Sequence, residues 1–91
     1  MVRWNEEKRA KILENRGIDL EDVATLIESG EFRIADSPNQ EGHPGQKMFV
    51  VVIEDYAVCA PFVRDENGDF FLKTAFPSRM MQKQLKGGVI K

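Results

Sequence analysis

Lys73, Arg79 and Lys83 belong to a segment, Phe70 to Lys91, that holds five Lys/Arg and no Asp or Glu. All 15 acidic residues and the other eight basic ones fall within residues 1–69. An acidic body thus ends in a basic tail, although the net charge is only −2. Cations gathered without a local carboxylate suit an anion, phosphate above all. An Arg fork donates two parallel hydrogen bonds to phosphate, and Lys adds a compact charge. Arg79 is best placed, because it falls in the first turn of a predicted helix, where free backbone N–H groups also favour an anion. Ser78, immediately before it, reads as the cap of that helix rather than as a nucleophile.

Lys83 follows Arg79 at i+4, on the same side of the helix. Lys73 lies on the preceding strand and faces away from Leu72 and Thr74. Lys47 opens one strand and Arg64 closes the next, so as hairpin neighbours they fall at one end of the sheet. Arg16, in the turn after the first helix, can supply charge but cannot act as a base at neutral pH. Tyr56 has a hydroxyl that can give a proton and a ring that can stack on a base. His43 sits in a Pro/Gly loop and reads as solvent-exposed. Glu54 and Asp55 are adjacent on a turn, so their carboxylates diverge and a paired-carboxylate site is not expected. A single cysteine, Cys59, excludes an internal disulfide and a cysteine-based zinc site, and one histidine excludes a His-rich metal site. Neither metal nor cofactor is expected.

These residues must be positioned by a small number of elements. Ninety-one residues, 42% hydrophobic and 31% charged, make one folded domain spanning 1–91 with a modest core. The longest apolar run, Met48–Ile53, is too short to span a bilayer. No signal segment opens the chain, so a cytoplasmic location is expected. Asn5 caps a first helix over 6–16, with a thin apolar stripe of Ala10, Leu13 and Ile12, and Gly17 closes it. Asp19 caps a second helix from Leu20 to about Ser29. Leu20, Val23, Ala24 and Ile27 form its buried face, and Ile18 and Val23 form a hydrophobic staple. Strands follow at 32–36, 48–53, 56–63 and 69–76. A long loop over 37–46 separates the first two. The Glu54-Asp55 turn joins the middle pair, and Asn67-Gly68 predicts a type I′ hairpin turn between the last two. Pro61 within the third strand requires a bulge or an outward-facing position. In the last strand Phe70, Leu72, Thr74 and Phe76 should share a face. Ser78 then starts a short helix that packs Met81 and Leu85 inward. The expectation is an α+β domain: two N-terminal helices, a four-stranded antiparallel sheet and a short C-terminal helix.

Trp4-Asn5-Glu6-Glu7-Lys8, the Arg16-Gly17-Ile18 turn, Glu21 and Asp22 early in the second helix, and Ser78-Arg79 on the last helix together resemble the BrnT-type toxins. Those toxins belong to bacterial type II toxin–antitoxin pairs, within the wider RelE-like fold of small ribonucleases. The resemblance covers about residues 3–86. It implies a metal-independent endoribonuclease held inactive by a cognate antitoxin. Arg79, Lys73 and Lys47 would act in catalysis, and Arg64, Lys83, Arg16 and Tyr56 would contact RNA. Arg16 stands where such chains usually carry histidine. The alternative is a non-catalytic binding or regulatory protein of the same fold that acts through a partner complex. A homodimer formed through an exposed sheet edge is a further possibility, and no membrane partner is expected.

Overall fold

The structure, a computed structural model, describes residues 1–36 and 45–86, with side chains as far as Lys83. Among these residues the fold is α+β, with three helices and one mixed six-stranded sheet. In chain order these are β1 (Val2–Arg3), α1 (Glu6–Arg16), α2 (Leu20–Glu28), β2 (Arg33–Asp36), β3 (Lys47–Ile53), β4 (Tyr56–Arg64), β5 (Phe70–Leu72), β6 (Phe76–Pro77) and α3 (Arg79–Lys86). Neighbouring strands run β1-β5-β4-β3-β2, with β6 also paired to β4. The expected set of four antiparallel strands is therefore widened at both ends of the pattern. Val2–Arg3 adds a strand parallel to β5, and the last expected strand is two, β5 and β6. His43 and residues 37–44 of the expected loop lie outside the described residues, as does the side chain of Leu85.

Local chemistry sets the helix ends. The Asn5 side chain accepts from Lys8 N, and Gly17 at φ 70 closes α1 with its N–H on Leu13 O. The chain turns out of the helix there through a left-handed residue, a conformation glycine adopts without the clash of a Cβ. Asp19 caps α2 by accepting from Glu21 N. Arg9 ties the two helices together, donating to both Asp19 oxygens at 2.7 and 3.1 Å. Hydrogen bonding to Arg9 holds the Asp19 carboxyl below its ordinary range. The stripe of α1 is narrower than expected. Ile12 alone is buried, whereas Leu13 is 44% exposed and Ala10 is also exposed.

The sheet is covered on both faces. Ile18, Leu20, Val23, Ala24 and Ile27 from the helical side pack with Phe49, Val51, Val58, Ala60, Leu72 and Ala75. On the other face Met48, Val50, Ala57 and Cys59 form a smaller cluster with Ala35, Phe76 and Met81. This explains why β3 reads as a continuous apolar run: Phe49 and Val51 serve one layer, Met48 and Val50 the other. Each fully buried Phe, Leu or Val among these contributes about 1.5–3 kcal/mol.

A bulge separates β5 from β6. Phe62 pairs with Leu72 and Arg64 with Phe70, whereas Cys59 pairs with Phe76 and Val58 with Pro77. Between these two registers the chain holds one residue more than β4 does, so side chains beyond it change faces. Leu72 and Ala75 accordingly belong to the helical-side core, but Phe76 belongs to the opposite cluster. The expected common face of Phe70, Leu72, Thr74 and Phe76 is corrected by that shift. Pro61 is at the same level. Its carbonyl accepts from Lys73 N at 2.8 Å, and having no N–H it returns no bond.

The two hairpin turns also differ from the reading of their residues. Glu54 and Asp55 both have left-handed backbones, φ 52 and 65, between the paired residues Ile53 and Tyr56. Theirs is the two-residue I′ geometry. At Asn67-Gly68 only Gly68 is left-handed, φ 82, and its N–H donates to Asp65 O. This is a type I turn followed by a glycine bulge, pinned by Asp65 Oδ1, which accepts from both Asn67 N and Asp69 N.

Candidate anion-binding groove

A groove runs between α1 and the stretch of chain that leaves β5. It consists of two adjoining hollows that share Lys8 and Lys11. The first, about 350 Å³, is lined by Asn5, Glu7, Lys8, Lys11, Phe71, Leu72 and Lys73. Lys8, Lys11, Ile12, Asn15, Arg16 and Thr74 line the second, about 250 Å³. The first lies at the small end of the range for ligand sites and the second just below it. The helix supplies one wall through a fixed spacing. Lys8, Lys11 and Asn15 recur at i, i+3 and i+7 and so share one face of α1. The bulge supplies the other wall, delivering Lys73 beside them.

Cations outnumber carboxylates in the groove, Lys8, Lys11, Lys73 and Arg16 against Glu7. Among the described residues, Lys8, Lys11 and Lys73 form no ion pair, whereas Arg3, Arg9 and Lys47 each pair with a carboxylate. Glu7 is the one carboxylate lining the groove, and it too forms no ion pair among the described residues. Arg16 is engaged within the fold. Its Nη1 donates to the carbonyl of Ala75 at 2.7 Å and approaches Thr74 Oγ1 at 3.4 Å. The bond to Ala75 satisfies a carbonyl in the bulge and fastens the end of α1 to it.

The seven candidate residues thus fall into separate places. Lys73 and Arg16 come together in the groove. Arg79 and Lys83 are exposed on α3, whose Met81 packs against the sheet face away from α1 and α2. Ser78 Oγ accepts from Met81 N at 3.2 Å, the capping bond expected of it. The Gln82 side chain docks the helix by accepting from Ala57 N at 2.7 Å and donating to Asp55 O at 3.0 Å. Lys47 and Arg64 do lie at one end of the β3–β4 pair. Lys47, however, is paired with Asp36, and the Arg64 guanidinium lies 4.8 Å from the centre of the Phe70 ring. Tyr56 is exposed beside the Glu54-Asp55 turn, at the opposite end of β4.

Lys8, Lys11 and Glu7 were missed as candidates because a helix rich in charge reads as a solvated face. A signal was present all the same: the two lysines share a stripe with Asn15, while Arg9 and its acidic partners occupy another. Among the described residues, no helix is long and apolar enough to cross a membrane. Compared with protein-family models, curated proteins and solved structures, the chain matches none of them.

Proposed function

We propose that the protein is the toxin of a type II toxin–antitoxin pair, with a RelE/BrnT-like topology, and that it engages RNA phosphates in the groove between α1 and the bulge. The observation that carries this reading is the gathering of Lys8, Lys11 and Lys73 without carboxylate partners, next to Arg16. In RNA cleavage the 2′-oxygen loses its proton and attacks phosphorus, and the bond to the 5′-oxygen breaks. A 2′,3′-cyclic phosphate and a 5′-hydroxyl result. The lysines would stabilise the extra negative charge of the phosphorane through a fixed field and supply the proton that the leaving oxygen takes up. Glu7 is the group in the groove that can accept the 2′ proton. An acidic segment of a cognate antitoxin would cover the same cations.

The decisive experiment is incubation of the purified protein with RNA, in EDTA, beside Lys73→Ala and Glu7→Gln. Cleavage to cyclic-phosphate ends that both substitutions suppress is expected. Binding should weaken with salt at a slope of about −3 in log–log terms, since four cations face a single strand. If the wild type neither binds nor cleaves RNA, the reading fails.

A second reading is favoured by the hydrogen bond of Arg16, which occupies the position of the family's usual histidine and is committed to Ala75 O. On this reading the protein binds RNA or a partner without cutting. Saturable RNA binding with intact RNA recovered would select it over the first.

A further inference from the structure

The second hollow of the groove differs in kind from the first. Glu7 and Leu72 line the first, whereas the second, about 250 Å³, is lined by Lys8, Lys11, Ile12, Asn15, Arg16 and Thr74, with no acidic residue among them. Arg16 is held in place there. Its Nη1 donates to Ala75 O at 2.7 Å and approaches Thr74 Oγ1 at 3.4 Å, while Nε and Nη2 have no partner among the described residues. A planar fork already fixed at one corner needs little further ordering to donate two parallel bonds to a phosphate. Thr74 Oγ1 accepts from Arg16, which leaves its own proton free to donate. The exposed Asn15 adds amide N–H groups to the same wall. Free carbonyls at the C-terminal end of α1 disfavour an anion, and Arg16, the basic residue of that last turn, offsets them.

Helix geometry sets the spacing between the two hollows. Asn15 follows Lys8 by seven positions, which is about 10 Å along the axis of α1. One phosphate cannot touch both ends of that span, but the next phosphate along a strand can reach the far one. We propose that the second hollow is a subsite for the phosphate adjacent to the scissile one, held by the fork of Arg16, the Thr74 hydroxyl and the Asn15 amide, with Lys11 shared between the two. This rests on the reading of the groove as an RNA-phosphate site and adds what that reading leaves open, the register of the strand. Ala75 takes part through its carbonyl, which orients the guanidinium and touches no ligand. The bond that fastens α1 to the bulge is thus also what aims Arg16 into the hollow.

The test is competition against fluorescently labelled octaadenylate by three 2′-deoxy diadenylates, which lack the hydroxyl needed for cleavage. One has no terminal phosphate, one a 5′-phosphate and one a 3′-phosphate, the terminal group standing in for the next phosphate of a strand. Wild type, Arg16→Met and Thr74→Val are compared well below their melting points. On the wild type, one terminal phosphate should improve competition about tenfold over the unphosphorylated dinucleotide, and the end that does so gives the direction of the strand. Arg16→Met should abolish that gain and Thr74→Val should reduce it, with the unphosphorylated dinucleotide competing equally on all three proteins. No gain from either phosphate overturns the proposal, as does a full gain on Arg16→Met or on Thr74→Val. A purely structural role for Arg16 weakens all three competitors alike, and that result overturns it too. Valine keeps the shape of Thr74 and leaves the bond from Arg16 to Ala75 intact, so Thr74→Val decides the matter where Arg16→Met melts too low. If octaadenylate does not bind the wild type, the underlying reading of the groove falls. If it binds and neither terminal phosphate helps, only the subsite falls.

Discussion

Replacing Arg16 with methionine separates two roles that one guanidinium could play in this groove, holding the bulge and meeting an anion. Its Nη1 donates at 2.7 Å to the carbonyl of Ala75, a residue with no exposed surface. A buried carbonyl that loses its donor costs about 1–3 kcal/mol. Arg16 itself is exposed, so water can reach part of the way in, and the lower portion of that range, about 1–2 kcal/mol, is the expectation. For a domain of this size each kcal/mol lowers Tm by about 4–8 °C, so Arg16→Met should melt at least about 4 °C below wild type. Methionine keeps most of the aliphatic length, so the loss reports the polar head and not the stem. Arg16→Lys keeps one donor and should fall by clearly less. The assay is thermal unfolding followed by circular dichroism, with RNA binding measured well below either melting point. Unchanged Tm in Arg16→Met would show that the bond to Ala75 contributes nothing to the fold. Equal losses for Met and Lys would show that the donor is not what matters.

Three further outcomes are expected. Glu54-Asp55 occupy a turn whose two central positions are left-handed, a geometry costly for side chains and natural to Asn-Gly; the double substitution to Asn-Gly should raise stability by about 1 kcal/mol, read from the urea midpoint at unchanged m-value. Gln82→Ala removes the acceptor for the N–H of fully buried Ala57, so that amide should exchange with deuterium about tenfold faster, consistent with a loss of about 1–2 kcal/mol. Asp19 has a folded-state pKa lowered by Arg9. Its stabilising contribution is therefore complete above the unfolded carboxyl value near ~3.9, declines as pH falls below that, and is gone once the folded value is passed. Asp19→Asn should flatten this part of the acid limb in urea titrations between about pH 5 and 2, and an unaltered limb would count against the assignment.

Much of the fold could be read along the chain because its determinants are local. Asn5, Gly17 and Asp19 mark helix ends through bonds to residues two to four positions away, and the spacing of Leu20, Val23, Ala24 and Ile27 displays a buried face. Elements made by distant partners were hidden. Val2 and Arg3 become a strand only against Phe70 and Phe71, and two residues carry no period. Asn67-Gly68 suggested one turn, but Asp65, four residues before Asp69, selected another by taking two backbone N–H groups. The groove lies between these cases. Lys73 and Arg16 stood out by charge, but their meeting with Lys8 and Lys11 depends on the bulge and on how α1 leaves β1. Neither is expressed in the residues themselves. Arg79 was conspicuous by type and neighbourhood, yet its helix packs on the sheet's other face.

The extra residue between Leu72 and Phe76 acts as a phase shifter. Before it, alternate side chains are in step with the layer of α1 and α2; after it, they are in step with α3. A change of residue type in this segment alters one contact, but a change of length by one position returns the chain to the unshifted phase. Phe76, Met81 and the docking bonds of Gln82 would then be presented to the wrong layer together. Length here is fixed by two cores at once, whereas the Asp65–Asp69 turn joins one hairpin and enters neither core. Lys73 sits at the start of that segment, where its N–H bond to Pro61 is the last one in the register of β5, so its place against α1 is set by where the shift begins.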